Sequence, residues 1–253
     1  MKYLGLIPAR YGSSRFPGKP LAEIHGKSMI QRVYERSASV FGEACYVATD
    51  DERIAEAVRG FGGRVVMTST AHRSGTDRCA EALDTIERES GQRFDVVVNI
   101  QGDEPFIAPR QLEQVRGCFD DPQTQIATLV KPFGADEDIF NENSPKVVLS
   151  ISGEALYFSR SVVPFLRGAA REEWQGRHTY YKHIGLYAYR SEVLRAVTRL
   201  PQSPLELAES LEQLRWLENG YRIRVAVTDL ESHAIDTPED LQRILDLFAE
   251  ELA

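Results

Sequence analysis

Apolar positions along this chain fall into two alternating rhythms. Tyr3–Ile7, Ala44–Ala48, Arg64–Met67 and Phe94–Ile100 are short apolar or β-branched runs that read as strands. Between and after them, Met29–Phe41, Asp51–Arg59, Thr76–Glu89 and Gln111–Phe119 carry apolar residues at helical spacing. In the third of these, Cys79, Ala82, Leu83 and Ile86 share one face. Phe94–Ile100 is apolar at nearly every position, as a strand covered on both faces of a parallel sheet must be. The βαβα order predicts an α/β protein with a doubly wound, mostly parallel sheet.

The middle of the chain changes rhythm. Ile126–Pro132, Lys146–Ser152, Ala155–Ser159 and Ile184–Tyr189 read as strands with few helices between them, and Ser152-Gly153-Glu154 is a turn signal. Arg167–His178 is polar, charged and Gly-containing, and reads as a mobile loop. Residues about 126–190 are therefore expected to form a smaller, mixed β lobe covering the site, inside a single domain spanning 1–253. The end returns to α/β character. Leu207, Leu211, Leu214 and Leu217 make one helical stripe stopped by Asn219-Gly220, and Ile223–Val227 is a strand. Thr237 caps a last helix with Pro238 at its first position, and Leu241, Ile244, Leu245 and Phe248 face a core.

Composition narrows the function. The 253 residues carry 30 Lys and Arg against 38 Asp and Glu, a net charge of −8. That balance argues against wrapping nucleic acid, which needs broad positive surface, but not against one nucleotide in a local basic pocket. Three widely spaced cysteines, Cys45, Cys79 and Cys118, show no C-x-x-C spacing, so neither a zinc site nor a redox motif is expected. They suit a reducing compartment and read as small buried hydrophobes. No long apolar run and no charged-then-apolar leader appears, and a soluble, cytoplasmic protein is the expectation.

Against that acidic background, Ile7–Leu21 stands out. It holds Arg10, Arg15 and Lys19, and no acidic residue precedes Glu23. Gly12 and Gly18 allow sharp turns, and Ser13 and Ser14 add hydroxyl donors. Following a buried strand, such a segment can wrap polyphosphate oxygens with cations and backbone N–H groups, although a solvated turn with surface bases has the same composition. The G-x-x-x-x-G-K-[ST] phosphate loop is excluded by spacing, and G-x-G-x-x-G is absent.

Further candidates follow the other strands. Asp103, in Gln101-Gly102-Asp103-Glu104-Pro105, comes directly after the most apolar strand, where open α/β sheets bind ligands and where a metal–phosphate would sit. Asp236 precedes the last helix and could complete a two-carboxylate metal site, or simply be a helix-entry residue. His72–Arg78 could read a base or ribose, and Ser74 or Thr76 could equally be helix caps. Arg160 offers a bidentate partner for a carboxylate. Lys182 and His183 could hold a sugar acid, although a lone His is more often structural. Glu209, Glu212 and Gln213 read by default as a solvated helix face.

Together these segments resemble the sugar-activating nucleotidyltransferases, and among them the 3-deoxy-manno-octulosonate (KDO) cytidylyltransferases. The matching stretches run in the same order: Ile7–Leu21, His72–Arg78, Gln101–Pro105, Ala155–Arg160, Lys182–Tyr187, Ser203–Arg215 and Asp236–Leu241. The resemblance implies a Rossmann-like nucleotidyltransferase fold and Mg²⁺-dependent transfer of CMP from CTP to KDO for lipopolysaccharide biosynthesis, in a homodimer built through the middle lobe. It implies catalytic roles for Arg15, Lys19, Asp103 and Asp236, with Mg²⁺ on the two aspartates. It gives nucleotide contacts to Pro8, Ala9, Arg10, Ser13, Arg15, Lys19, Ser74, Gly75, Arg78 and Gln101. Arg160, His183, Tyr187, Glu212 and Gln213 would line the sugar pocket. One departure is Ala234, where the family usually has Gly two residues before the metal-binding Asp; it could shift that loop slightly. Another acidic sugar as acceptor, or a nucleotide-binding module without catalysis, remains open at this point; retention of both aspartates speaks against the latter.

Overall fold

A computed structural model describes residues 1–12 and 15–249. The chain forms two compact units, one of Met1–Glu113 with the segment from Ser232 onward, the other of Gln114–Glu231.

The first unit begins with β1 (Tyr3–Ala9), a two-residue hairpin of β2 (Glu23–Ile24) and β3 (Lys27–Ser28), and α1 (Met29–Phe41). It continues through β4 (Cys45–Thr49), α2 (Glu52–Gly60), β5 (Val65–Met67), α3 (Gly75–Ser90) and β6 (Val96–Asn99), and α4 (Pro109–Gly117) leads out of it. Its other four strands lie in the order β6-β1-β4-β5, all parallel. The central strand β1 buries Leu4, Leu6 and Ile7 completely. Gly5 is required there, because an added Cβ would lie 2.7 Å from the Phe41 ring of α1. Ser28, Asp51 and Ser74 cap α1, α2 and α3, each side chain accepting a backbone N–H of the first turn.

The second unit contains β7 (Ile126–Pro132), β8 (Lys146–Leu149), β9 (Ala155–Ser159), α5 (Trp174–Arg177), β10 (Tyr181–Arg190), α6 (Ser191–Val197), α7 (Pro204–Glu209), α8 (Glu212–Glu218) and β11 (Ile223–Val227). β7 lies between β11, parallel to it, and β10, antiparallel to it; β8 joins β10 to β9, again antiparallel. The chain then returns to the first unit as α9 (Pro238–Leu247), capped by Thr237. The expected α/β class, with a mostly parallel sheet and a smaller antiparallel part, is what the chain adopts.

Two sequence readings need correction. The Leu207–Leu217 stripe is not one helix. Ser210 sits at φ +51° between α7 and α8, and Leu207 is exposed. The carbonyls of Glu209 and Ser210 are turned to the Arg160 guanidinium instead of serving a continuous helix. Arg167–His178 is also more than a loop. It holds a helical turn and α5, anchored by Trp174, which is buried against Ile139 and Tyr180. One large aromatic ring gives a polar segment enough buried surface to settle it.

Cys45 and Cys79 are buried as expected of small hydrophobes, and Cys118 is half-buried. Burial pushes the Cys45 thiol up to about 12 and the Cys118 thiol up to about 11, far from nucleophilic thiolates. No helix among the described residues is long and apolar enough to cross a membrane.

Candidate active site

The carboxyl ends of the parallel strands in the first unit open onto a cavity of about 280 Å³. Pro8, Ala9 and Arg10 reach it from β1, His72 to Gly75 from the segment after β5, and Gln101 to Asp103 from the segment after β6. Arg15, Lys19, Arg78 and Asp236 complete its polar wall. Every candidate nucleotide and metal residue of the sequence reading lies on this one cavity except Ser13, which falls outside the described residues. The crossing of chains is close: a Cβ on Gly102 would sit 2.8 Å from the Pro8 carbonyl oxygen, and one on Gly75 3.1 Å from Pro8 Cγ. Small residues let the three segments meet.

The basic loop is closed on itself. Gly18, at φ +73°, donates its N–H to the Tyr11 carbonyl at 2.9 Å. The Tyr11 ring is covered by the Arg53 guanidinium, 3.3 Å from its centroid. Lys19 thereby points its ammonium at two carboxylates, 2.6 Å from Asp103 Oδ2 and 3.2 Å from Asp236 Oδ1, with the Ile235 carbonyl at 3.0 Å. Arg15 reaches Asp236 Oδ1 at 3.1 Å. The Ile235 N–H returns a bond to the Asp103 carbonyl at 2.9 Å, fixing the two acidic loops to each other. Beneath them lies an apolar cluster of Ile24, Met29, Phe106, Ile235 and Ile244, with Phe106 stacked on Phe248. Ala234 has not prevented Asp236 from meeting Asp103 at this cation.

The donor set fits a small hard cation. Two carboxylates converge on a single positive centre, and Mg²⁺ commonly takes one or two carboxylates and completes its shell with phosphate oxygens and water. No group of three or more His, Cys, Asp or Glu poised for a metal occurs among the described residues. The protein alone would thus leave most of such a shell to the substrate. Glu104, next to Asp103, is a group to which the sequence reading gave no role. Burial, with the Asp103 charge adding, raises its carboxyl to about 7 against the pull of a Ser232 hydrogen bond.

Two nucleotide candidates also carry structural duty. Ser74 Oγ accepts the Asp77 N–H at 3.0 Å, so it is the cap of α3. Arg78 is buried, with Nη2 2.8 Å from Asp50 Oδ2 and Nη1 2.5 Å from Thr68 Oγ1. The N-terminus of α3, at Gly75, adds its positive end to the wall and favours an anion there.

The sugar-pocket candidates all belong to the second unit. A bulge interrupts the β10–β7 pairing between Ile184 and Tyr187, and His183 and Tyr187 flank it. Thr128 Oγ1 donates to the Leu186 carbonyl at 2.8 Å and meets His183 Nε2 at 3.1 Å. His183 therefore donates from Nε2 and keeps Nδ1 as an acceptor. It packs edge-on to Phe158 and against Tyr187, and burial pushes it down to about 4. Arg160 gives Nε to Glu209 O at 2.7 Å and Nη1 to Glu142 O at 2.9 Å. Each terminal nitrogen of that fork has a further N–H. The solvated-face reading of the following helices is corrected. Gln213 is buried with Nε2 lacking a partner, Glu212 accepts from Arg215 Nη2, and the Glu209 carboxylate holds Ser159 Oγ and the Arg160 N–H. Burial of Gln213 was hidden because the Leu stripe placed it on the wrong side of an unbroken helix.

A cytidylyltransferase family model matches residues 4–223. A 3-deoxy-manno-octulosonate cytidylyltransferase of Bacteroides thetaiotaomicron is 66% identical over 245 residues, 96% of each chain. The chain belongs to the 3-deoxy-manno-octulosonate cytidylyltransferase family. A second member, from Parabacteroides distasonis, is 61% identical over 253 residues, 98% of this chain and 99% of its own. Among solved structures, a CMP:2-keto-3-deoxy-manno-octonic acid synthetase complexed with CTP aligns with a TM-score of 0.89 at 44% identity, over 99% of this chain and 100% of its own. Members of this family are nucleotidyltransferases, so the cavity with Lys19 between two aspartates belongs to an enzyme.

Proposed function

We propose that this chain transfers CMP from CTP to 3-deoxy-D-manno-octulosonate, releasing pyrophosphate and forming the CMP-activated sugar acid for lipopolysaccharide assembly. The observation that carries the reading is the convergence of Lys19, Arg15, Asp103 and Asp236 on one cavity at the carboxyl ends of parallel strands. The relatives' names and the CTP in the neighbouring structure support its substrates.

In the reaction, the anomeric hydroxyl of the sugar gives up its proton to water and its oxygen forms a bond to the α-phosphorus of CTP as the bond from that phosphorus to the bridging oxygen breaks. Pyrophosphate takes the released electron pair. Arg10, Arg15 and Lys19 hold phosphate oxygens and neutralise the leaving group's growing charge. Pro8, Ala9, Ser13, Ser74, Gly75, Arg78 and Gln101 form the nucleotide's seat, with Ser74 and Arg78 also shaping the wall. Asp103 and Asp236 would hold Mg²⁺, which when bound polarises phosphate and sugar oxygens. Arg160 takes the sugar's carboxylate, His183 Nδ1 accepts from a hydroxyl, and Tyr187, Glu212 and Gln213 complete the sugar's surroundings. No covalent nucleophile is needed; orientation and charge neutralisation supply the rate. The enzyme works as a homodimer through its middle lobe, in the cytoplasm.

Product identity tests this reading. Incubation with CTP, Mg²⁺ and an equimolar mixture of KDO and sialic acid should give one nucleotide sugar by mass spectrometry, the CMP conjugate of KDO. A CMP–sialic acid peak alone would move the acceptor, and no conjugate would overturn the activity.

A further inference from the structure

Lys146 is fully buried, and its ammonium donates to two backbone carbonyls, Asn141 O at 2.7 Å and Arg160 O at 2.8 Å. Neither bond goes to a carboxylate. A charge so placed is costly, and burial correspondingly lowers the lysine's pKa. An apolar side chain would fill the same space but leave the Asn141 and Arg160 carbonyls without this donor, so it is the two bonds, more than the packing, that define what the ammonium does.

Its surroundings indicate what. Lys146 opens β8, the strand between β10, which carries His183 and Tyr187, and β9, which ends just before Arg160: it faces Lys182 on β10, next to His183, and Ser159 on β9, next to Arg160. The preceding carbonyl, Pro145 O, accepts the His183 N–H at 2.9 Å. Arg160 itself is held from every side. Glu209 Oε2 accepts its N–H, Glu209 O and Glu142 O accept from its guanidinium, and the Lys146 ammonium donates to its carbonyl. Asn141, the other Lys146 partner, is next to Glu142, so one ammonium ties down both the residue bearing the fork and the segment that orients it.

We infer that Lys146 is a positioning residue for the sugar acid: it fixes the aim of the half-buried Arg160 guanidinium and adds a buried positive charge near it, so that the pair recognises a carboxylate. This rests on the reading of Arg160 as the carboxylate's partner.

The test is a double-mutant cycle on the full-length enzyme, followed by pyrophosphate release. The variants are Lys146→Met, Lys146→Gln, which keeps a donor and loses the charge, Arg160→Ala, and each Lys146 change combined with Arg160→Ala. Each Lys146 variant should raise KM for KDO about tenfold or more while KM for CTP stays within about twofold. In the Arg160→Ala background the same changes should add less than about twofold, because the group they aim is gone. If Lys146→Met does not fold, Lys146→Gln carries the same comparison. Equal rises in both KM values, a fall in kcat alone, or an undiminished effect in the Arg160→Ala background would overturn the inference while leaving Arg160's role intact. An Arg160→Ala enzyme with unchanged KM for KDO would overturn both, and identifies the site reading as the part that failed.

Discussion

Lys19 and Asp103, 84 positions apart in the sequence, meet in a 2.6 Å ion pair that also draws in Asp236. The ammonium lets two carboxylates share one small space. Lys19→Met removes it from a wall where the proposed reaction needs phosphate charge neutralised. Its kcat/KM for CTP should fall by about 10²–10³-fold, measured by pyrophosphate release. Chelation of divalent cations should abolish turnover in the unmodified enzyme, and added Mg²⁺ should restore it.

Gly102 sets the distance between the Asp103 loop and β1. Gly102→Ala puts a methyl group 2.8 Å from the Pro8 carbonyl oxygen, so one of the two segments must move. Calorimetric titration should show CTP affinity reduced by roughly tenfold, since the proposed nucleotide seat uses both segments. An unchanged affinity would mean that the two segments need not be in contact.

Arg78 separates scaffold from binding. Its pair with Asp50 is buried, with side-chain exposures of 4% and 16%. Arg78→Met strands the Asp50 carboxylate and should cost about 3–5 kcal/mol, a fall in Tm of roughly 10 °C. A variant with weakened CTP binding and an unshifted Tm would assign Arg78 to the ligand alone.

His183 gives the second unit an acid-sensitive point. Its pKa in the folded chain is about 4, below the ordinary 6.5, because burial disfavours the charged ring. The unfolded chain therefore binds the proton first as pH falls. Stability from this group is complete above about pH 6.5 and is lost as pH drops toward 4, by about 3 kcal/mol in all. Denaturant titrations at pH 7 and pH 4.5 should show a smaller loss for His183→Gln than for the unmodified chain.

The sequence made most of the first unit legible. Buried strands such as β6 announce themselves as continuous apolar runs, and Thr237-Pro238 marks the start of α9 because a capping hydroxyl and a missing N–H both suit that position. The cation-rich loop stood out against an acidic chain, and it lies where the aspartates are. Less was legible where tertiary bonds override local pattern. The Leu stripe ran unbroken through Ser210, because side-chain periodicity does not register two carbonyls diverted to Arg160. Lys146 entered the sequence reading only as the first residue of a strand, since nothing in its neighbours signals that both of its bonds are to backbone 5 and 14 positions away.

The most direct test of the central claim is pyrophosphate release from CTP and Mg²⁺, with KDO or without sugar, in the unmodified chain and in Asp103→Ala. The account predicts release that requires KDO and falls by at least about 10²-fold in the variant. Release without sugar, or release undiminished in Asp103→Ala, would contradict a reaction centred on the two aspartates and Lys19.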